Sequence, residues 1–169
     1  YNLFKFLEKK EGKPIPFKIK LIYAPETIRP EDLNVRDNLH LDGTPITSLP
    51  AGLNVHGDLH LDGTRITSLP AGLKVSGYLS LTHAPITSLP ASLKVGSDLW
   101  LNSTPITSLP AGLKVGGALW LNNTRITSLP ADLEVGGDLD LSNTPLSKKY
   151  TKAQIRKMVP PGVKGKIIL

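Results

Sequence analysis

A gapless repeat of twenty residues runs through the middle of the chain and restricts the folds open to it. Five copies begin at Leu39, Leu59, Leu79, Leu99 and Leu119, and with few exceptions they share the pattern V-x-G-x-L-x-L-x-x-T-x-I-T-S-L-P-A-x-L. Self-similarity at a fixed period of this length is typical of proteins built from stacked repeats. A proline in every copy excludes a long helix. The repeat therefore predicts a solenoid, in which each coil is one strand, one corner and an irregular return.

The order of residue types within a copy predicts how one coil is built. Leu99 and Leu101 alternate with polar or exposed residues, which is the two-residue period of a half-buried strand. The pairs that follow the strand, such as Asp42-Gly43 and Asn122-Asn123, contain residue types that tolerate a left-handed backbone. We expect the threonine of each copy to bond backbone groups at this corner, in a series that Ala84 interrupts. The series comprises Thr44, Thr64, Thr104, Thr124 and Thr144.

The small residue two positions before the first leucine of each copy also predicts a local constraint. It falls on the inward phase of the strand, and serine replaces glycine in one copy. We therefore expect this site to require small size and not a positive φ angle. The residues are Gly57, Gly77, Ser97, Gly117 and Gly137.

The strand pattern continues beyond the five clear copies. The segment Ile15-x-Phe17-x-Ile19-x-Leu21 lies twenty residues before the first strand of the clear copies, and it predicts a degenerate first coil. Residues 163–169 repeat the motif after a longer spacing and predict a final coil. The fold class expected is an α/β-solenoid with about eight parallel strands in one sheet. These strands begin at positions 15, 35, 55, 75, 95, 115, 135 and 163.

The ends of the chain carry helical patterns that would cover the core of the solenoid. Residues 2–10 predict a short helix, with Leu3, Phe4, Phe6 and Leu7 apolar. Thr151 and Gln154 have the spacing of a capping box and Pro160 marks a stop, so a second short helix is expected. We expect one domain over residues 1–169, divided into an N-terminal helical cap (1–14), repeats (15–146), a helical insertion (147–162) and a final strand (163–169).

Composition excludes several classes of protein. The chain has 169 residues, no cysteine and a formal net charge of +6. Disulfide scaffolds, cysteine nucleophiles and zinc sites with cysteine ligands are therefore excluded. The apolar runs are too short to span a bilayer, so no membrane span is expected. The first residue is Tyr and not Met, so the native start is expected to lie upstream, and the sequence leaves the cellular location open.

The repeat resembles leucine-rich repeats, and in particular the short, proline-containing repeats of bacterial and phage-encoded proteins. The residues that carry the resemblance are L-x-L-x-x-T-x-I-T-S-L-P-x-x-L, over about residues 15–169. Two positions depart from the common pattern: threonine stands where most such repeats have asparagine, and valine precedes the L-x-L by four residues. The resemblance implies a rigid scaffold without enzymatic activity or cofactor, which binds a partner, usually a protein, through the strand face.

The outward strand positions differ most between copies, which is what a recognition surface requires. The central column of this face combines histidines in one half with tryptophans in the other. Exposed indole and phenol rings offer large contact areas at low entropic cost. We expect the following residues to contact the partner: Tyr78, Trp100, Trp120, Asn102, Asn122, His40, His60 and Asp98.

Other functions compete with protein binding at this stage. A structural subunit or decoration protein of a phage particle or other assembly would explain the high similarity of the copies. Stacked tryptophans also suit a sugar ring, or they form an aromatic ladder that only covers the sheet. A catalytic triad, a phosphate loop and a closed cleft are absent from the pattern, so no enzyme is expected.

Two clusters of charged or ligating residues have chemistry that suits other ligands. Imidazoles and carboxylates on neighbouring coils have metal-ligand chemistry, although duplication alone explains their spacing; the residues are His40, His60, Asp42, Asp58 and Asp62. The segment 147–169 has seven basic residues and no acid, which suits an anionic partner or a solvated surface. No aromatic residues accompany it in the pattern used to read nucleic acid, so nucleic acid is not indicated.

Overall fold

The computed structural model describes residues 3–169, apart from the side chains of Phe4, Lys5 and Leu7. Over this range the chain forms a parallel β-solenoid with coils of twenty residues. Each complete coil contributes two strands of two residues, and each strand pairs in parallel with residues of the next coil. The predicted repeat-based solenoid is therefore confirmed, while the expected cap residues Tyr1 and Asn2 lie outside the described range.

Within the described residues the strands form two parallel sheets. The valine sheet contains β1 (Asn34–Val35), β3 (Asn54–Val55), β5 (Lys74–Val75), β7 (Lys94–Val95), β9 (Lys114–Val115) and β11 (Glu134–Val135). The leucine sheet contains β2 (Leu39–His40), β4 (Leu59–His60), β6 (Leu79–Ser80), β8 (Leu99–Trp100), β10 (Leu119–Trp120), β12 (Leu139–Asp140) and β13 (Ile167–Ile168). The helices are α1 (Leu3–Glu11), α2 (Phe17–Tyr23), α3 (Pro145–Lys149) and α4 (Lys152–Met158).

A bend divides each extended segment, so the prediction of one sheet with eight strands is wrong. In the coil of β3 and β4 the bend lies at His56 and Gly57. Just after it, Asp58 Oδ1 accepts the backbone N–H of Tyr78 from the next coil at 2.9 Å. A side-chain carboxylate thus accepts the hydrogen bond that a backbone carbonyl would accept if the strand pairing continued through the bend. The same bond recurs from Ala118 N–H to Asp98 and from Lys166 N–H to Asp138.

The interior is a continuous column of aliphatic side chains. The predicted inward positions of a coil are confirmed: between 0% and 8% of each side chain is exposed in the coil of Leu99, Leu101, Ile106, Leu109, Leu113 and Val115. Neighbouring coils repeat this set, and the buried residues form one hydrophobic cluster. Burial of each large aliphatic side chain contributes about 1.5–3 kcal/mol, so the repeated core is the main source of stability.

The corner after each leucine strand has the predicted chemistry. The second residue of the corner pair has a positive φ angle in each copy, from 53° at Asn143 to 66° at Gly43. The threonine that follows donates its hydroxyl to the carbonyl of the residue three positions earlier, at 2.6–2.8 Å, in the coils that contain it. The threonine ladder therefore satisfies a backbone acceptor in each of these corners.

Close contact between coils explains the small residues at the bend. A Cβ atom on Gly77 would lie 2.8 Å from the backbone of Gly57 in the preceding coil, closer than carbon atoms normally approach. Neither glycine has a positive φ angle. The expected requirement for small size is confirmed at these positions, but the expected inward phase is wrong, because Gly57 and Gly77 are half-buried and Ser97 is exposed.

The segment predicted as the first strand is instead helix α2. Pro16 directly precedes this helix, where its missing N–H costs no hydrogen bond. A helix places Phe17 and Leu21, four residues apart, on the same face, and both pack on the core. It also buries Lys20, whose Nζ lies 3.1 Å from Asp32 and 3.7 Å from Glu8. Lys20 therefore lies in the N-terminal cap and not on the outer face of the sheet.

The predicted helical insertion precedes the last coil. Helix α4 has the expected capping box, in which Thr151 N–H donates to Gln154 Oε1 at 2.9 Å and Gln154 N–H donates to Thr151 Oγ1 at 3.2 Å. The helix ends at Met158, before Pro160. Helix α3 was not predicted, although Thr144 and Ser147 form a second capping box. After these helices, β13 pairs with β12 as the final strand of the leucine sheet.

Candidate binding face

The outer face of the leucine sheet carries the predicted column of variable residues. The strands pair in register, so His40, His60, Ser80, Trp100 and Trp120 follow one another on adjacent strands. Their leucine neighbours point inward and are buried. Side chains twenty residues apart therefore stack, about 4.8 Å apart along the sheet, as the sequence predicts.

The two tryptophans form an aromatic pair at the surface. Their ring centroids lie 5.5 Å apart with an angle of 42° between the planes, a tilted arrangement that π systems favour over face-to-face stacking. Trp100 is 38% exposed. Trp120 is half-buried, and its Nε1 is shielded from solvent without a hydrogen-bond partner among residues 3–169. A buried donor without a partner costs about 1–3 kcal/mol, which offsets part of the stabilisation that the buried part of the indole provides.

A second cluster joins His40, His60 and Tyr78. The imidazole rings stack with centroids 4.2 Å apart and an angle of 26°. A hydrogen bond of 2.9 Å links His60 Nε2 to the Tyr78 hydroxyl, and the phenol ring meets the imidazole edge-on. Partial burial raises the pKa of Tyr78, and the negative charges of Asp58 and nearby aspartates raise it further. Tyr78 therefore stays neutral and keeps its hydroxyl proton for hydrogen bonding.

Ser80 separates the two aromatic clusters. It is buried, and its hydroxyl donates a short hydrogen bond to Asp62. Asp62 Oδ1 also accepts the backbone N–H of Thr82 at 2.9 Å, and the Thr82 hydroxyl donates to Asn102 at 3.0 Å. The predicted site residues thus include a histidine–tyrosine group and a tryptophan pair, and a network of polar side chains lies on the strands between them.

Asp98 holds neighbouring coils together, a role that the sequence did not predict. Its Oδ1 accepts the backbone N–H of Ala118 at 2.8 Å. Asn38 occupies the equivalent position in the coil of β2, at one end of the sheet. Its Oδ1 accepts the backbone N–H of Asp58 at 2.8 Å. The side-chain oxygen at this position therefore stabilises the bend, whatever else Asp98 contacts.

The histidines and aspartates of this face are not arranged as a metal centre. Within the described residues, no group of three or more histidine, aspartate or glutamate side chains is placed to hold an ion. Instead, His60 bonds Tyr78, and Asp62 bonds Ser80 and Thr82. These bonds occupy His60 Nε2 and Asp62 Oδ1, two of the atoms that a metal site of His40, His60, Asp42 and Asp62 would use for coordination.

A column of lysines on the valine sheet is not among the predicted site residues. Lys74, Lys94 and Lys114 pair in register on adjacent strands and are exposed. They line a groove of about 1200 Å³ across this sheet. The repeated L-K-V in three copies was the available signal, since a residue next to an inward valine must point outward.

No protein-family model matches the chain, and no curated protein is similar to it in sequence. Among the described residues, no helix is both long enough and apolar enough to cross a membrane. The proposals below therefore depend on the geometry of the two sheet faces.

Proposed function

We propose that the protein is a non-enzymatic scaffold of the leucine-rich-repeat type, which binds a protein partner through the outer face of the leucine sheet. The observation that carries this proposal is the tryptophan pair. Trp100 is 38% exposed above Trp120, whose ring nitrogen has no partner among the described residues. An unpaired buried donor beside an exposed aromatic ring is typical of binding surfaces.

The neighbouring residues support a contact surface around this pair. Tyr78 directly precedes β6, the strand next to that of Trp100, and His60 and His40 lie two and three strands away on the same sheet. Short strands and buried leucines hold these side chains on a rigid base, so little entropy is lost when a partner binds. Rigid aromatic anchors surrounded by polar groups suit the central, water-excluded part of a protein interface.

The proposal is tested by removing the exposed indole. Trp100→Ala leaves Trp120 as the single tryptophan, so its fluorescence reports both folding and contact. Proteins retained by the immobilised wild-type chain are expected to be lost from this variant and kept by Met158→Ala. Met158 is a matched control because it is also exposed, at 43%, but lies on helix α4.

Three outcomes would contradict protein binding by this face. A partner retained equally by Trp100→Ala and the wild type would place the contact elsewhere. Self-association in sedimentation experiments that disappears with Trp100→Ala would indicate an assembly subunit. Quenching of Trp120 by glycans, in the absence of any protein partner, would indicate a glycan-binding module.

A further inference from the structure

The valine sheet carries a groove that is separate from the proposed aromatic face. It extends across six coils, from Asn54 on β3 to Lys164 in the final coil, and has a volume of about 1200 Å³. With strands spaced by about 4.8 Å, this is a length of about 24 Å along the solenoid. An extended peptide rises about 3.4 Å per residue, so the groove matches about seven residues.

The floor of the groove lies close to the backbone. Gly96, Gly116 and Gly136 occupy the outward position beside the buried valines, so no side chain rises from the centre of these coils. In earlier coils the same position is filled by Ser76 and His56. The groove is therefore shallow at the end of His56 and Ser76. At the end of the three glycines it has room for an extended peptide.

One wall of the groove is a row of lysines. Lys74 and Lys94 are exposed and form no ion pair among residues 3–169. Lys114 lies 3.6 Å from Glu134, but both side chains are more than half exposed, so this pair neutralises little. Like charges on adjacent strands repel one another, and an anionic ligand would remove that repulsion.

The chemistry of the lining distinguishes between kinds of polyanion. Among the described residues that line the groove there is no Phe, Tyr or Trp. Proteins that bind single-stranded nucleic acid combine a basic groove with aromatic side chains on which bases stack. The lining here offers lysine stems and valine, alanine and proline atoms instead, which suit the aliphatic parts of a peptide.

We propose that this groove binds an extended acidic peptide segment of a partner protein. The carboxylates of the segment pair with Lys74, Lys94 and Lys114, while its backbone lies over the glycine floor. Glu134 is the one acidic residue among the described residues that line the groove, and it opposes the binding of a carboxylate beside it, whereas the exposed Lys164 at the end of the groove attracts one. The site does not depend on the tryptophan pair, and binding here is expected to weaken with salt because the lysines are exposed.

The test uses a fluorescein-labelled peptide of seven glutamates, with seven glutamines and seven-nucleotide oligo-dT as comparison probes. Fluorescence anisotropy at low salt measures each affinity. The triple variant Lys74→Gln, Lys94→Gln, Lys114→Gln is expected to bind the acidic peptide at least about tenfold more weakly than the wild type. Glu134→Gln is expected to bind it more tightly, a gain that a merely damaged fold would not produce.

The matched control removes the same charge elsewhere. Lys148→Gln, Lys152→Gln, Lys157→Gln changes three exposed lysines of helices α3 and α4 and should leave the affinity unchanged. An equal loss of affinity in both triple variants would show that the peptide responds only to the net charge of the protein, and it would overturn the proposal. Oligo-dT binding more tightly than the peptide, with the loss confined to the groove variant, would replace the peptide with nucleic acid.

Discussion

At the scale of single residues, the side chains that join one coil to the next matter as much as those that face a partner. Asp58, Asp98 and Asp138 each accept the backbone N–H of a residue in the following coil. Sequence alone places Asp98 on the exposed face but gives no sign of this bond, because it forms between residues twenty positions apart. A polar residue on a variable face can therefore be structural.

Asp98→Ala is expected to lower the free energy of unfolding by about 1–2 kcal/mol, because the N–H of Ala118 loses its acceptor. Asp98→Asn should cost less, since an amide oxygen accepts the same bond, as Asn38 does from Asp58. Urea denaturation measures both changes. Equal losses in the two variants would show that the charge of Asp98, and not its acceptor atom, stabilises the bend.

At the scale of elements, the N-terminal helices are fixed to the solenoid by a buried cation. Lys20 on α2 is 6% exposed and contacts Asp32 and Glu8. Burial acts to raise the pKa of Asp32, but the Arg29 backbone N–H together with the charge of Lys20 outweighs it and holds the pKa below its usual value of 3.8. The stability of the N-terminal cap is therefore expected to depend on pH through the ionisation of Asp32.

A folded-state pKa below the unfolded one means that the unfolded chain takes up the proton more readily. The stabilisation by Asp32 is thus present above about pH 3.8 and is lost as the pH falls through the folded-state value. Asp32→Asn should be less stable than the wild type at pH 5, and the difference should shrink toward pH 3. Thermal unfolding at each pH measures this, with Glu134→Gln as the exposed control. A difference that stayed constant with pH would contradict the assignment.

The same helix shows where sequence patterns fail. Ile15, Phe17, Ile19 and Leu21 alternate as in a strand and lie in register with the repeats. Phe17 and Leu21 are also four residues apart, so a short apolar run of this kind fits either structure. In the helix Lys20 contacts Glu8 and Asp32, which lie twelve residues away on either side, and a local pattern contains no sign of such contacts. In contrast, the corners and the α4 capping box were predictable because their bonds are local.

At the scale of the whole molecule, the chain is a series of coils that each contact their neighbours. Removal of residues 99–118 joins Asp98 to Leu119 and keeps every later residue at its position within the coil. The shortened chain is expected to fold cooperatively, with a lower urea m value because less surface is buried. Removal of residues 99–108 shifts the pattern by half a coil and should abolish folding, as circular dichroism would show. A folded half-coil deletion would contradict the solenoid.

The large-scale prediction succeeded where repetition made it independent of detail. Buried Leu99 and Leu101, the stacked tryptophans and the parallel pairing all follow from spacing alone. The division into two sheets and the shape of the groove do not, because both depend on the backbone conformation of the bend at positions such as Gly116 and Gly117. Period fixes which residues meet, whereas local backbone geometry fixes the shape of the surface they make.

Parallel pairing of interchangeable units has a consequence for how such a chain reaches its native state. During folding, a coil that pairs with the wrong copy of the repeat still places leucine opposite leucine. Misalignment within the central copies therefore costs little free energy. The free-energy cost of misalignment arises at the two ends of the solenoid. There, the ion pair of Lys20 and the helices α3 and α4 each fit at a single place along the chain. Correct alignment is thus dictated by the least repetitive parts of the polypeptide.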